Sequence, residues 1–372
     1  MLAIMRLAAF LCLLAVPALA QLDADDFRIN QIQAVGSHNS YKQAISPSLL
    51  KLLNREEPGR FRSLEYSHIP LAAQLDLGLR KLELDVVHDP EGGRYADPRG
   101  PKAVAKAGLP AGPPYDPEGW MERPGLKVLH IPDLDFRSNV QTFRQALEQL
   151  RDWSEENPRH VPVVITMNAK DSGAQREGFV RLLPFDRDAF DAWDAEIREV
   201  LSPDKLLMPD DVRGDFPTLE AAVLAHAWPR IGEVRGKFLF VLDETGPKLE
   251  TYVRGHPSLV GRVMFVNARE GRPEAAFRIV NNPLAGFHYI QKLVRAGYMV
   301  RTRADANTLE ARSGDVSKRD AAFASGAHFV STDYYKPDPA FDSGYQVQLP
   351  GGGPARWNPL LAPPVTGLPI PE

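Results

Sequence analysis

The chain has 372 residues, 44 of them lysine or arginine and 48 aspartate or glutamate, for a net charge of −4. That balance excludes the broad basic field on which nucleic-acid binding depends, so nucleic acid is not expected as a partner. A single cysteine, Cys12, excludes an intramolecular disulfide, and a chain this long can bury a core that does without one.

Residues 1–20 carry one basic residue, Arg6, then an apolar stretch from Leu7 to Val16 and an Ala18-Leu19-Ala20 ending. This is the layout of a secretory signal peptide with an A-x-A type cleavage site. The apolar stretch is short for a bilayer span and no later stretch rivals it, so the mature chain is expected to lack a transmembrane segment. The expectation is a secreted or periplasmic monomer. Cleavage would remove Cys12 and Arg6, leaving 43 basic residues against 48 acidic ones.

Beyond that point, short apolar, β-branched runs alternate with helix-like segments. The runs fall at residues 32–36, 79–87, 126–130, 162–168, 237–243, 263–267, 299–303 and 328–332, and their continuity is that of strands covered on both faces. Helical patterns occupy 67–78, 140–156, 188–201, 275–296 and 317–325, with Gly297 and Pro158 as stop signals. Eight strands alternating with helices predict an α/β fold, a single (β/α)8 TIM-type barrel over residues 21–340, with a doubly wound open sheet as the alternative. Two stretches exceed the bare barrel. Residues 88–125, crowded with proline and glycine, form a long insertion after the second strand, read either as a rim over the site or as a disordered segment. Residues 341–372 are a proline-rich C-terminal tail, expected to run extended over the outside.

Within the second strand, Leu82-Glu83-Leu84-Asp85-Val86-Val87, alternation turns Glu83 and Asp85 to one face and the aliphatic residues to the other. Two carboxylates roughly 6 to 7 Å apart on a covered face demand positive charge, either a cation between them or an ion pair with Arg80, Lys81 or a distant arginine. The first strand ends in Ser37-His38-Asn39-Ser40-Tyr41, which adds an imidazole and an amide oxygen. Such a set can furnish a general base and oxygen ligands for a hard cation.

Barrel enzymes take their catalytic residues from the carboxyl ends of the strands. Here those ends carry His38 and Asn39, Glu83 and Asp85, His130, Asn168 with Lys170 and Asp171, Asp243 and Glu244, Asn267 and Arg269, Arg301 with Arg303 and Asp305, and Asp333 with Tyr334 and Tyr335. His38 and His130 together make a base and acid pair, with His88 as the rival for the second place. His68, His160, His226, His256, His288 and His328 lack such company and are read as structural or exposed. Arg301 and Arg303 share a face, where they either answer Asp85 or Asp333 or meet a phosphate.

The run Ser37-His38-Asn39-Ser40-Tyr41, followed by Ile69-Pro70-Leu71, Gln74-Leu75 and Gly78-Leu79-Arg80 leading into Leu82-Glu83-Leu84-Asp85-Val86, resembles the calcium-dependent bacterial and fungal phosphoinositide phospholipase C family. Further points of likeness are Arg301-Thr302-Arg303-Ala304-Asp305, Ser331-Thr332-Asp333-Tyr334-Tyr335 and Arg356-Trp357-Asn358-Pro359. The resemblance implies catalysis by His38 and His130, with Ca2+ bound by Asn39, Glu83 and Asp85. It departs on the fourth strand, where related eukaryotic enzymes carry a glutamate and this chain has Asn168, an oxygen donor with one charge fewer. Lys170, Arg301, Arg303 and Tyr334 are the expected substrate contacts. The implied reaction is attack of an inositol hydroxyl on phosphorus, giving a cyclic inositol phosphate and diacylglycerol from a phospholipid at a membrane surface. The alternatives are a glycerophosphodiester or other lipid phosphodiesterase on the same barrel, and a non-catalytic protein binding metal or inositol phosphate.

Overall fold

Apolar runs covered on both faces become the staves of a barrel. The computed structural model describes residues 23–173, 177–361 and 370–372, so the expected signal peptide and Cys12 lie outside the described residues. Its strands are β1 (Ile32–Ser37), β2 (Lys81–Val87), β3 (Lys127–Val128), β4 (Val163–Ala169), β5 (Phe238–Leu242), β6 (Phe265–Val266), β7 (Phe277–Ile279), β8 (Met299–Arg303), β9 (Phe329–Thr332) and β10 (Arg356–Trp357). Eight of these run parallel in the order β6-β5-β4-β2-β1-β9-β8-β7. The barrel is nearly closed at β6 and β7, where a single bridge joins Asn267 to Phe277. The Asn267 side chain helps fasten that seam, its Oδ1 accepting from the Ile279 N–H at 3.1 Å and from Arg278 at 2.7 Å.

Two element assignments need correction. The run at 126–130 is not a stave; only Lys127 and Val128 are extended, paired antiparallel with the end of β2 outside the parallel path. The missing stave is β7, which the sequence pattern merges into a helix over 275–296. A three-residue strand is too short to display a period of two, and the helix itself begins only at Phe287, after Asn281-Asn282-Pro283, ending at Gly297 with φ 104°.

The outer layer shows how local sequence and packing cooperate. In the helix Phe143–Glu156, Thr142 caps the first turn by accepting from the Gln145 N–H, and Gln145 reaches back to the Thr142 N–H. Phe143, Ala146, Leu147, Leu150 and Trp153 form its buried stripe, so Leu147→Ala would cost about 2–5 kcal/mol. Residues 88–125 fold against the barrel: they contain the helix Arg99–Lys106, whose first N–H is capped by Asp133, and a buried ion pair joins Asp89 to Lys127 at 3.2 Å. At the other end, β10 pairs antiparallel with β1, and the Glu372 side chain is held by Arg80 and by the Val161 N–H.

Candidate active site

Close contact between β1 and β2 builds the floor. Gly36 pairs with Lys81, and a Cβ at Gly36 would stand 2.3 Å from the Lys81 carbonyl oxygen, so only glycine allows this approach. The segment after β1 is fastened on both sides: His38 N–H donates to Thr332 O at 3.1 Å and Ser40 N–H to Glu83 O at 2.9 Å. Ser40 Oγ also accepts from the Glu83 N–H at 2.7 Å. Between these anchors Asn39 takes a left-handed conformation, φ 47°, which asparagine tolerates better than most residues. Its Nδ2 donates to the Tyr66 hydroxyl at 2.8 Å, leaving the amide oxygen as an acceptor.

Alternation along β2 places Lys81, Glu83 and Asp85 on the inner face. Glu83 Oε2 lies 2.5 Å from Lys81 Nζ and 2.6 Å from Arg301 Nη2 and accepts from Thr166 at 3.1 Å. Burial by itself would raise the Glu83 carboxyl, but Arg301 and Lys81 outweigh it and hold the group well below the usual range. Burial in turn drops the Lys81 ammonium to about 7, against the pull of Glu83. Asp85 accepts from Asn168 Nδ2 at 2.9 Å, which leaves the Asn168 oxygen as an acceptor, and pairs with Lys170 Nζ at 2.9 Å. Thus the ion-pair answer to the two acids holds, through Lys81 and Arg301 on one and Lys170 on the other, while Arg80 turns to Glu372.

Each of the two histidines is backed by a carboxylate. His38 Nδ1 stands 2.9 Å from Asp333 Oδ1, and its Nε2 is 3.2 Å from Arg303 Nη1 and 3.6 Å from Glu83 Oε1. Burial and then Arg303 push its imidazole below the ordinary value, with Asp333 and Glu83 opposing, which favours the neutral ring. For Asp333, burial is outweighed by His38 and Arg303, and its carboxyl falls; Asp305 behind it is raised by burial and by Asp333 itself. Asp305 accepts from Thr332 and from the Asp333 N–H, and Arg303 donates to Asp333 Oδ2 at 3.2 Å. His68 supports the same loop from below, its Nε2 donating to His38 O at 2.8 Å. Across the site, His130 Nδ1 is 2.8 Å from Asp135 Oδ2, and Lys42 pairs with the other Asp135 oxygen at 3.2 Å.

His38, Asn39, Glu83, Asp85, His130, Asn168, Lys170, Arg301 and Arg303 meet around one cavity of about 180 Å³, joined by Asp243 and Asn281. Of the four expected substrate contacts, Tyr334 stands apart: it is buried against Phe341 and Tyr345, outside this cavity, and Asp171, Glu244, Asn267, Arg269, Asp305, Asp333 and Tyr335 are likewise not among its lining residues. His88 does not line it either, its ring lying 5.8 Å from that of Phe185. Sequence reasoning missed Asn281 because it missed the strand before it; the rule of a polar residue after each stave would have found it. Asp135 was overlooked as well, although a carboxylate five positions after a histidine at a strand end is a readable signal. Among the described residues no three His, Cys, Asp or Glu side chains converge as a metal cluster, so any ion here needs amide oxygens.

A family model described as phosphoinositide phospholipase C, Ca2+-dependent, matches residues 27–359. Among solved structures, the calcium-dependent phosphoinositol-specific phospholipase C of a Gram-negative Pseudomonas species (apo form, myoinositol complex) superposes with a TM-score of 0.54 and 16% identity, over 90% of this chain and 96% of the other. A Ca2+-dependent phosphatidylinositol-specific phospholipase C from Streptomyces antibioticus gives 0.51 and 18%, over 83% and 95%. At such identities the structural likeness speaks to the fold. No curated protein sequence matches. The span of the family match decides the assignment: this chain belongs to the calcium-dependent phosphoinositide phospholipase C family.

Proposed function

We propose that the protein is a secreted or periplasmic enzyme that cleaves phosphatidylinositol-type lipids by attack of the inositol hydroxyl next to the phosphate. The products are a cyclic inositol phosphate and diacylglycerol. Residues 21–340 would act as one catalytic unit, with 88–125 as its rim and 341–372 as its tail. The observation that carries this reading is the pairing of His38 with Asp333 and of His130 with Asp135, both imidazoles facing one polar cavity.

The oxygen donors of that cavity suit calcium. Asn39, Glu83, Asp85 and Asn168 come from three adjoining staves and offer hard ligands, two carboxylates and two amide oxygens. Glu83 already has two cations on it, whereas Asp85 has one, Lys170, whose side chain is 32% exposed and can move aside. Asp85, Asn39 and Asn168 are therefore the principal ligands, with Glu83 completing the set. Calcium held there supplies positive charge against the phosphate and its developing charge.

With Nδ1–H donated to Asp333, His38 keeps its lone pair on Nε2 and takes the proton as the hydroxyl oxygen bonds to phosphorus. His130, protonated at the start, gives its Nε2 proton to the glycerol oxygen as that P–O bond breaks. Asp333 and Asp135 orient the rings and stabilise each while charged. Arg303, beside His38, offsets negative charge on the phosphate oxygens. The histidines thus exchange protonation states, and solvent resets them.

The test is a product assay on phosphatidylinositol followed by phosphorus NMR, with and without calcium. A cyclic inositol phosphate formed only with calcium is expected. Hydrolysis of glycerophosphodiesters or sphingomyelin in preference, or binding of inositol phosphate without turnover, would replace this reading.

A further inference from the structure

Beside the catalytic cavity lies a second one of about 380 Å³, and the two share His130 and Lys170. Their linings differ in kind. The first cavity is lined by charged, amide and imidazole side chains throughout, whereas the neighbour is walled mainly by Phe61, Leu64, Ile131, Leu134, Phe179 and Leu182, with Arg60, Ser63 and Ser172 as its further polar residues. Three parts of the chain contribute to it: residues 60–64, the loop running on from His130, and Ser172, Gly173, Phe179 and Leu182. Its size falls within the range of sites that enclose small-molecule groups.

The connection has a direction. His38, Arg303 and Asn281, which surround the attacking side, do not line the second cavity, and His130, the donor to the leaving oxygen, does. The groups attached to a leaving oxygen protonated by His130 continue away from phosphorus on the His130 side. On that side the wall changes from polar to apolar. We propose that this cleft takes the apolar leaving group, the glycerol backbone and first acyl carbons of the lipid, and makes leaving-group hydrophobicity a determinant of specificity. The assignment rests on the reaction proposed above.

The experiment uses the full chain with calcium and a series of inositol phosphate monoalkyl esters, methyl to octyl, kept below their micelle concentrations. Wild-type kcat/KM rises about threefold per methylene over the first several carbons, the fraction of a buried methylene's transfer free energy that a partly open cleft retains. Leu182→Ser and Phe179→Ser, at partly buried positions, reduce that slope toward zero, and Leu182→Trp, which fills the cleft, ends the rise at a shorter chain. Leu309→Ser, an exposed leucine outside this cleft, leaves the slope as it is. A flat wild-type series, or cleft variants whose slopes match the wild type, overturns the assignment while cyclic product formation keeps the reaction intact. Absence of cyclic product from every ester removes the reaction and the cleft with it.

Discussion

His38 Nδ1 and Asp333 Oδ1 are 2.9 Å apart, and that bond leaves Nε2 as the ring nitrogen for the proposed proton transfer. Asp333 comes from the end of β9, and β1 pairs with β9 in register, Ser37 opposite Thr332. Backbone pairing therefore delivers imidazole and carboxylate to the same spot. An amide in place of the carboxylate can turn its NH2 toward Nδ1 and trap the wrong tautomer. Asp333→Asn should fold normally and lose roughly 10²- to 10⁴-fold in kcat with little change in KM. A variant within a few-fold of wild type would remove His38 from the role of base.

For His130 the discriminating variable is the leaving group. A proton donor is needed in proportion to the basicity of the departing oxygen, so an ester with a nitrophenol leaving group needs little help. His130→Ala should fall about 10²- to 10⁴-fold on the natural lipid and far less on the nitrophenyl ester. His38→Ala should suffer comparably on both. Equal losses for His130→Ala on the two substrates would show that it acts on something other than the leaving oxygen.

Much of this site was legible because strand alternation is a strict rule. Glu83 and Asp85 had to share a face, and the polar residues at stave ends had to collect on one rim. What was not legible followed from tertiary partners or from shortness. Lys81, two positions before Glu83 on β2, was within reach of the same rule, but nothing local shows that Arg301 of β8 joins it there, since Arg301 is 218 positions from Glu83. Strand β7 is three residues long, too short to display a period of two, so the helix after it absorbed it and hid Asn281. Tyr334 falls outside the cavity for a related reason: alternation relates neighbours within a strand, and Tyr334 lies beyond the end of β9.

On the proposed reading, calcium competes with the Lys170 ammonium for Asp85. The Lys170–Asp85 contact, at 2.9 Å, joins a buried carboxylate to a side chain one-third exposed. Removing the ammonium leaves Asp85 buried with one counter-charge fewer, and a dication relieves that. Lys170→Met should tighten calcium binding on the order of tenfold, a gain comparable to the worth of a partly buried ion pair. Titration calorimetry without substrate measures it directly. Asn168→Asp, which adds a charge to the donor set, should tighten it as well. If neither variant changes the affinity, the ion sits elsewhere.

Buried histidines make the fold sensitive to acid, and His328, outside the candidate site, is the clearest of them. Burial drives its pKa from 6.5 down to about 4, against the Nε2–H bond to Asn30 O at 2.8 Å, and Nδ1 is committed to accepting from the Val300 N–H at 3.0 Å. The unfolded chain therefore binds a proton below pH 6.5 that the folded chain refuses until about 4. Stability from this group is complete above the higher value and is lost as pH falls toward the lower one, at about 1.4 kcal/mol per pH unit. His68 and His160, also near 4, act in the same direction. Glu196, raised to about 7 by burial, acts in the opposite one, so the wild-type profile alone does not isolate a histidine. The difference between wild type and His328→Asn does. Urea denaturation at pH 6.5 and pH 5 should show the variant losing less stability than wild type on acidification, by about 2 kcal/mol. Parallel losses would mean that His328 is protonated within the fold.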